Sequence, residues 1–186
     1  MRRYFFLLIS LLTLAAASLP PILKGQYVFT FDMGRDLLWV RNMIELKKLT
    51  LIGPWGSIAG VYFGPLWYYL LAIPYIIFRG DPRGAVTIPL ISNLITIILG
   101  WKFLNLKHPI AANFFAILYS ISPLAISISS FPFHANLLPL ITLLFIIGLH
   151  QPGYSLIGWP LSALSSSLAY HFEPAAGVML TLLLLF

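Results

Sequence analysis

The stretch FTFDMGRDLLWVRNMIELKKLTLIGPWGSIAGVYFGPLWYY, Phe29 to Tyr69, is a polar helix and a glycine-rich loop set inside hydrocarbon. It holds Asp32, Asp36 and Glu45, three of the five acidic residues of the chain, together with Arg35, Arg41, Lys47 and Lys48. The 186 residues around and within it are 60% hydrophobic and 9% charged, with a mean hydropathy of +0.93. Long apolar runs of this kind read as an all-α, polytopic helical membrane protein, because backbone in lipid must satisfy its hydrogen bonds within its own segment. Scarce charge gathered directly after the first apolar run marks the place to look for function.

Working outward, Met1 to Pro21 begins with Arg2 and Arg3 and continues as an apolar run from Tyr4 to Leu19. Ala15, Ala16 and Ala17 near its end also suit a signal-peptide cleavage site, but the run exceeds a typical h-region of ~7–15 residues. The reading adopted is an uncleaved first span, reaching Leu23 if Pro20 and Pro21 are accommodated at its end. Basic residues ahead of it put the N-terminus in the cytoplasm and Lys24 onward outside. From Asp32 to Leu49 the pattern becomes an amphipathic helix, with Met33, Leu37, Val40 and Ile44 on one stripe and Asp32, Arg35, Asp36, Arg41 and Glu45 off it. Such a helix lies in the interface on the outer face. Ile52 to Gly64 is a loop whose glycines permit close backbone approach. Leu66 to Phe78 is apolar and aromatic, and further spans are expected near Ala85 to Leu104, Pro109 to Ile128, Ala135 to Leu149 and Tyr154 to Tyr170.

Topology turns on Leu66 to Phe78. If that segment only dips into the outer interface, Asp32, Asp36, His134, Asn136, His171 and Glu173 all fall on the outer side. If it crosses, the later loops fall inside. Counting Lys and Arg does not separate the two, so the first arrangement is preferred because polar groups at membrane depth usually share a cavity.

Residues 1–186 show no linker, repeat or low-complexity segment and read as a single membrane module. The apolar run from Val178 to Phe186 is too short to cross ~30 Å of hydrocarbon, so the chain is expected to be the N-terminal part of a longer module. The lack of Cys removes disulfides and thiolate metal sites, and His108, His134, His150 and His171 show no metalloprotease spacing. No metal or other cofactor is indicated. A formal charge of +6 with no basic run is explained by anionic headgroups rather than by nucleic acid.

An acidic residue early in the first outer loop, an amphipathic helix beginning FDMGRD, a G-P-x-G-S-x-x-G loop and a GPLWYYL helix, in that order, resemble the GT-C glycosyltransferases. The resemblance extends over essentially the whole chain. It is to the branch with the aminoarabinose-type lipid A transferases and the RgtA/B/C/D-like group, with protein O-mannosyltransferases and oligosaccharyltransferases more distant. It implies an integral plasma-membrane enzyme that transfers a sugar from a polyprenyl-phosphate donor to an acceptor on the extracytoplasmic side. By position the catalytic carboxylate is then Asp32, with Asp36 the second choice. A second outer loop, Ser129 to Asn136 here, reaches the site in that family; several relatives carry Asp there, where this chain has His134 and Asn136.

The chemistry also follows from the residue types. A carboxylate at the mouth of a membrane cavity accepts the acceptor's proton as the anomeric carbon is attacked, giving inversion in one displacement. The phosphate leaving group is already activated and needs no second carboxylic acid. Arg35 or Arg41 suits the lipid phosphate, although headgroup contact explains either equally well. His134 and His171 are substrate-facing or plain loop histidines, and Glu173 sits at a span boundary where an acid is costly unless used. The rival readings are a lipid or solute transporter, for which inverted repeats and midplane helix breaks are missing from the sequence, and a non-catalytic membrane scaffold.

Overall fold

A computed structural model describes residues 4–56, 60–150 and 157–185. Arg2, Arg3, Ser57, Tyr154 and Phe186, which entered the reading above, lie outside them. The chain is all-α, with no strand among the described residues. The helices are α1 (Phe5–Leu23), α2 (Phe31–Glu45), α3 (Leu66–Ile77), α4 (Arg83–Asn105), α5 (Pro109–Ile121), α6 (Pro123–Ser129), a 3₁₀ turn (His134–Leu137), α7 (Leu138–Leu149), α8 (Gly158–Phe172) and α9 (Pro174–Leu185). They form two compact units, each built from two chain segments: 1–28 with 86–143, and 29–85 with 144–186.

In the first unit Leu14 of α1 packs with Ile97 and Trp101 of α4 and Ala112 and Ala116 of α5. Further along, Ile22 packs with Val86 and Leu90. Residue numbers rise on α1 as they fall on α4, so the two helices are antiparallel. Trp101 Nε1 donates to Asn113 Oδ1 at 3.0 Å, and Tyr119 donates to Asn93 Oδ1 one layer away, which sets α5 antiparallel to α4. Ala112, Ala116 and Ser120 recur every four residues on the buried face of α5, where small side chains let helices approach closely. Pro20 and Pro21 do not end α1, which runs to Leu23.

One expected span is broken. Pro109 to Ile128 reads as one apolar run, yet α5 and α6 are bent by 62° at Ser122. Ser122 precedes a proline, which disfavours helical backbone there. It adopts an extended conformation (φ −64°, ψ 124°) and its hydroxyl accepts from the Ala125 N–H, capping α6.

By length and composition α1 and α4 are able to cross a membrane, and the bent α5–α6 pair counts as a third if it is one span. Those features fit a membrane protein. At 12 residues, α3 is about 18 Å long, short of ~30 Å of hydrocarbon.

The second unit holds the polar stretch. Thr30 caps α2 through its hydroxyl, which accepts from Met33 N–H at 3.4 Å. Asp32 in the first turn complements the helix dipole. The helix stops at Glu45, short of the expected Leu49, because Lys47 turns into the left-handed region at φ 51°. Beyond it the glycine-rich loop doubles back as a hairpin: Gly53 N–H donates to Phe63 O, Phe63 N–H to Pro54 O and Gly56 N–H to Val61 O, with Trp55 opposite Tyr62. The Tyr69 hydroxyl donates to Thr50 O at 2.8 Å, tying α3 to the start of this loop. α8 and α9 form an antiparallel pair around the Glu173–Pro174 break, with the Ser166 and Thr181 hydroxyls 2.6 Å apart.

Candidate functional site

The buried face of α2 is not the all-apolar stripe expected from the sequence. Met33, Asp36 and Val40 are its buried residues, while Leu37 and Ile44 are only partly covered. Asp36 therefore belongs on the packed face, three residues from Met33 and four from Val40, rather than on the polar side. A buried carboxylate persists only if its oxygens are satisfied. Trp67 Nε1, from the first turn of α3, donates to Asp36 Oδ2 at 2.9 Å, and Arg35 Nε donates to Oδ1 at 2.9 Å. Both oxygens are thus engaged, and the contact fastens α2 to α3. Trp39 stacks on Tyr68 beside it, with ring centroids 6.1 Å apart.

Arg35 joins the two carboxylates. One terminal nitrogen lies 2.9 Å from Asp36 Oδ1 and the other 2.9 Å from Asp32 Oδ1. Exposure separates the two acids: the Asp36 side chain is 5% exposed, Arg35 11% and Asp32 48%. Breaking a buried pair by removing one partner typically costs about 3–5 kcal/mol, whereas an exposed pair contributes about 0–1 kcal/mol. The Arg35–Asp36 edge is the fixed part of the assembly and the Arg35–Asp32 edge is its loose part. Burial raises the pKa of Asp36 above the ordinary carboxylate value, against the opposing charge of Arg35 and the hydrogen bonds from Arg35 and Trp67.

Alongside runs an open groove of about 600 Å³ whose wall includes Arg35, Leu38, Trp39, Asn42 and Trp55. Trp39 and Trp55 are 51% and 57% exposed, and the Arg35 guanidinium lies 5.8 Å from the centre of the Trp55 ring, within cation–π range. An apolar cleft with a few placed polar groups, next to a perturbed carboxylate, is a candidate ligand site on physical grounds. Arg41 is turned to the surface, where it pairs with Glu45 at 2.7 Å, one turn along.

His171 reaches this unit's hairpin from α8. A Cβ at Gly64 would fall inside the His171 ring, and one at Gly53 would strike the Gly64 backbone, so the two glycines are the condition for this packing. His171 Nδ1 is buried with no hydrogen-bond partner. Glu173 closes α8 in an extended conformation, its N–H bonded to Ala169 O at 2.8 Å. Asp32, Arg35, Asp36, Arg41, His171 and Glu173 belong to one unit, and His134 and Asn136 to the other. In that other unit His134 is buried against the Phe133 ring at 4.1 Å. Asn136 spends its side-chain N–H on Phe131 O at 2.6 Å, closing the loop on itself.

Trp39 and Trp55 are participants that sequence reasoning did not assign to the site; Trp67, expected with Tyr62, Phe63, Tyr68 and Tyr69 as an aromatic belt along a lipid groove, was not assigned to Asp36. A partial signal for Trp67 existed, since a buried indole N–H needs an acceptor and Asp36 borders the apolar stripe, three residues from Met33 and four from Val40. Among the described residues no group of three or more His, Cys, Asp or Glu is placed to hold a metal. No family model, curated protein or solved structure matches the chain.

Proposed function

We propose that this protein is a multi-pass plasma-membrane glycosyltransferase of the GT-C type, transferring a sugar from a polyprenyl-phosphate donor to an acceptor at the outer face. The observation that carries the reading is the assembly of Asp32, Arg35, Asp36 and Trp67 beside an aromatic groove at the start of α2. Asp32 is the base: it is the accessible carboxylate, whereas both oxygens of Asp36 are occupied. The acceptor hydroxyl attacks the anomeric carbon, its proton passes to Asp32, and the bond from that carbon to the phosphate oxygen breaks with its electron pair on the phosphate. Arg35 stands where that charge develops, the placement that electrostatic catalysis requires. The groove beside Trp39 and Trp55 takes the lipid at headgroup level, where aromatic side chains favour the interface.

The test is sugar transfer by the protein in nanodiscs with a labelled polyprenyl-phosphate sugar. Asp32→Asn keeps the shape and removes the basic oxygen, so transfer falls about 10²–10⁴-fold while lipid binding persists. Asp36→Asn costs less activity and more stability. If Asp36→Asn is the inactive variant and Asp32→Asn transfers normally, the base is wrongly assigned; if both transfer normally, the glycosyltransferase reading falls.

A further inference from the structure

We infer that Arg35 is an exchangeable latch on the base: an incoming phosphate takes the guanidinium nitrogen that Asp32 holds and thereby frees the Asp32 carboxylate for proton transfer. The inference rests on the donor reading above, but it concerns what happens when the donor arrives.

The geometry supplies three parts. Arg35 is pinned on one edge by Asp36, through Nε and one terminal nitrogen at 2.9 Å each, and Asp36 is pinned in turn by Trp67. The remaining terminal nitrogen bonds Asp32, whose side chain is half-exposed. The same guanidinium forms part of the groove wall beside Trp55. A phosphate entering the groove therefore meets an arginine held on its buried side by Asp36 and the Tyr68 hydroxyl and on its open side by a half-exposed carboxylate, Asp32. The buried partner stays, because removing it would leave a carboxylate unpaired in the interior.

Competition favours the exchange. Phosphate oxygens match a guanidinium at least as well as a carboxylate does, and burial beneath a lipid-filled groove excludes the water that screens the existing pair. The donor phosphate is a diester with one negative charge. When the bond to the sugar breaks it becomes a monoester with a second charge, so the hold on Arg35 tightens during the reaction. Asp32, protonated by then, no longer competes. The cycle resets when the lipid phosphate leaves and Asp32 loses its proton. Without donor, Asp32 stays paired with Arg35 and its carboxylate is held back from proton transfer. Arg35 is thus a positioning residue for the base as well as a phosphate contact.

The test is carboxylate footprinting: carbodiimide-driven amine coupling to Asp32, read by mass spectrometry on the protein in nanodiscs, with binding of radiolabelled polyprenyl phosphate followed in parallel. Polyprenyl phosphate is expected to raise Asp32 labelling severalfold, whereas polyprenol of the same length and inorganic phosphate at the same concentration leave it unchanged. Arg35→Gln should label Asp32 at the high level without ligand and show no further response. Binding of polyprenyl phosphate with unchanged or reduced Asp32 labelling overturns the latch and leaves the donor reading standing. Absence of binding overturns both. An equal rise with inorganic phosphate alone overturns the lipid as the trigger. The comparison of lipid phosphate with lipid alcohol is made on the unaltered protein, so it decides even if Arg35→Gln does not fold.

Discussion

Trp67→Phe isolates the bond that holds α2 to α3. The substitution keeps an aromatic ring in the buried site and removes the one N–H that reaches Asp36 Oδ2 at 2.9 Å. A hydrogen bond to a charged group contributes about 1.5–3 kcal/mol, and an orphaned buried oxygen carries the full desolvation cost. At about 2–4 °C per kcal/mol for a chain of this size, the melting temperature should fall by roughly 3–12 °C at neutral pH. In an Asp36→Asn background the same change should cost less, because a neutral amide oxygen loses less by going unpaired. The pH dependence fixes the cause. Burial raises the folded-state pKa of Asp36 above its ordinary 3.8, so its contribution to stability is fully present below the unfolded value and is lost as pH rises through the folded one. Trp67 favours the ionised form. Removing it raises the folded value further and enlarges the stability lost on going from acid to neutral pH. The assay is thermal unfolding of the purified protein in one detergent across that pH range, for both single variants and the double variant. Equal melting temperatures for Trp67→Phe and the unaltered protein at neutral pH would refute the reasoning. So would a penalty of the same size at both ends of the range, which would report lost packing rather than a lost bond to a charge.

Gly64→Ala should displace the His171 ring, since the added methyl occupies its place; an altered His171 imidazole resonance with helix content preserved is the expected result, and an unchanged resonance would contradict the packing. For topology, cysteines at Thr50 and Ser130 should both label from outside intact cells with an impermeant maleimide, and a cysteine at Lys107 should not. Labelling of Thr50 and Ser130 from opposite sides would mean that α3 crosses.

The parts of this chain that were legible in sequence are those whose signal is local. A run as long and apolar as α1 or α4 declares a helix by length and composition alone, and the start of α2 is marked by Thr30 before an amphipathic period. Proline did not serve as a reliable stop: Pro20, Pro21, Pro74 and Pro89 all lie inside helices, so Pro123 within an equally apolar run looked no different. What distinguishes it is Ser122, whose hydroxyl captures the Ala125 N–H and makes the break cheap. The amphipathic stripe failed at Asp36 for another reason. A hydrophobicity pattern places every carboxylate on the wet face, because it cannot know that a partner 31 positions away will arrive with a donor. The stripe Met33, Asp36, Val40 nevertheless contained the anomaly in plain form: an acid one turn from apolar residues on both sides must either face water or be met by N–H groups. Arg35 provides one such group from the next position, but it leaves the second oxygen bare. Water could have taken that second oxygen equally well, and the choice of the Trp67 N–H is made only when α3 packs on α2, a non-local event that no periodicity along α2 encodes.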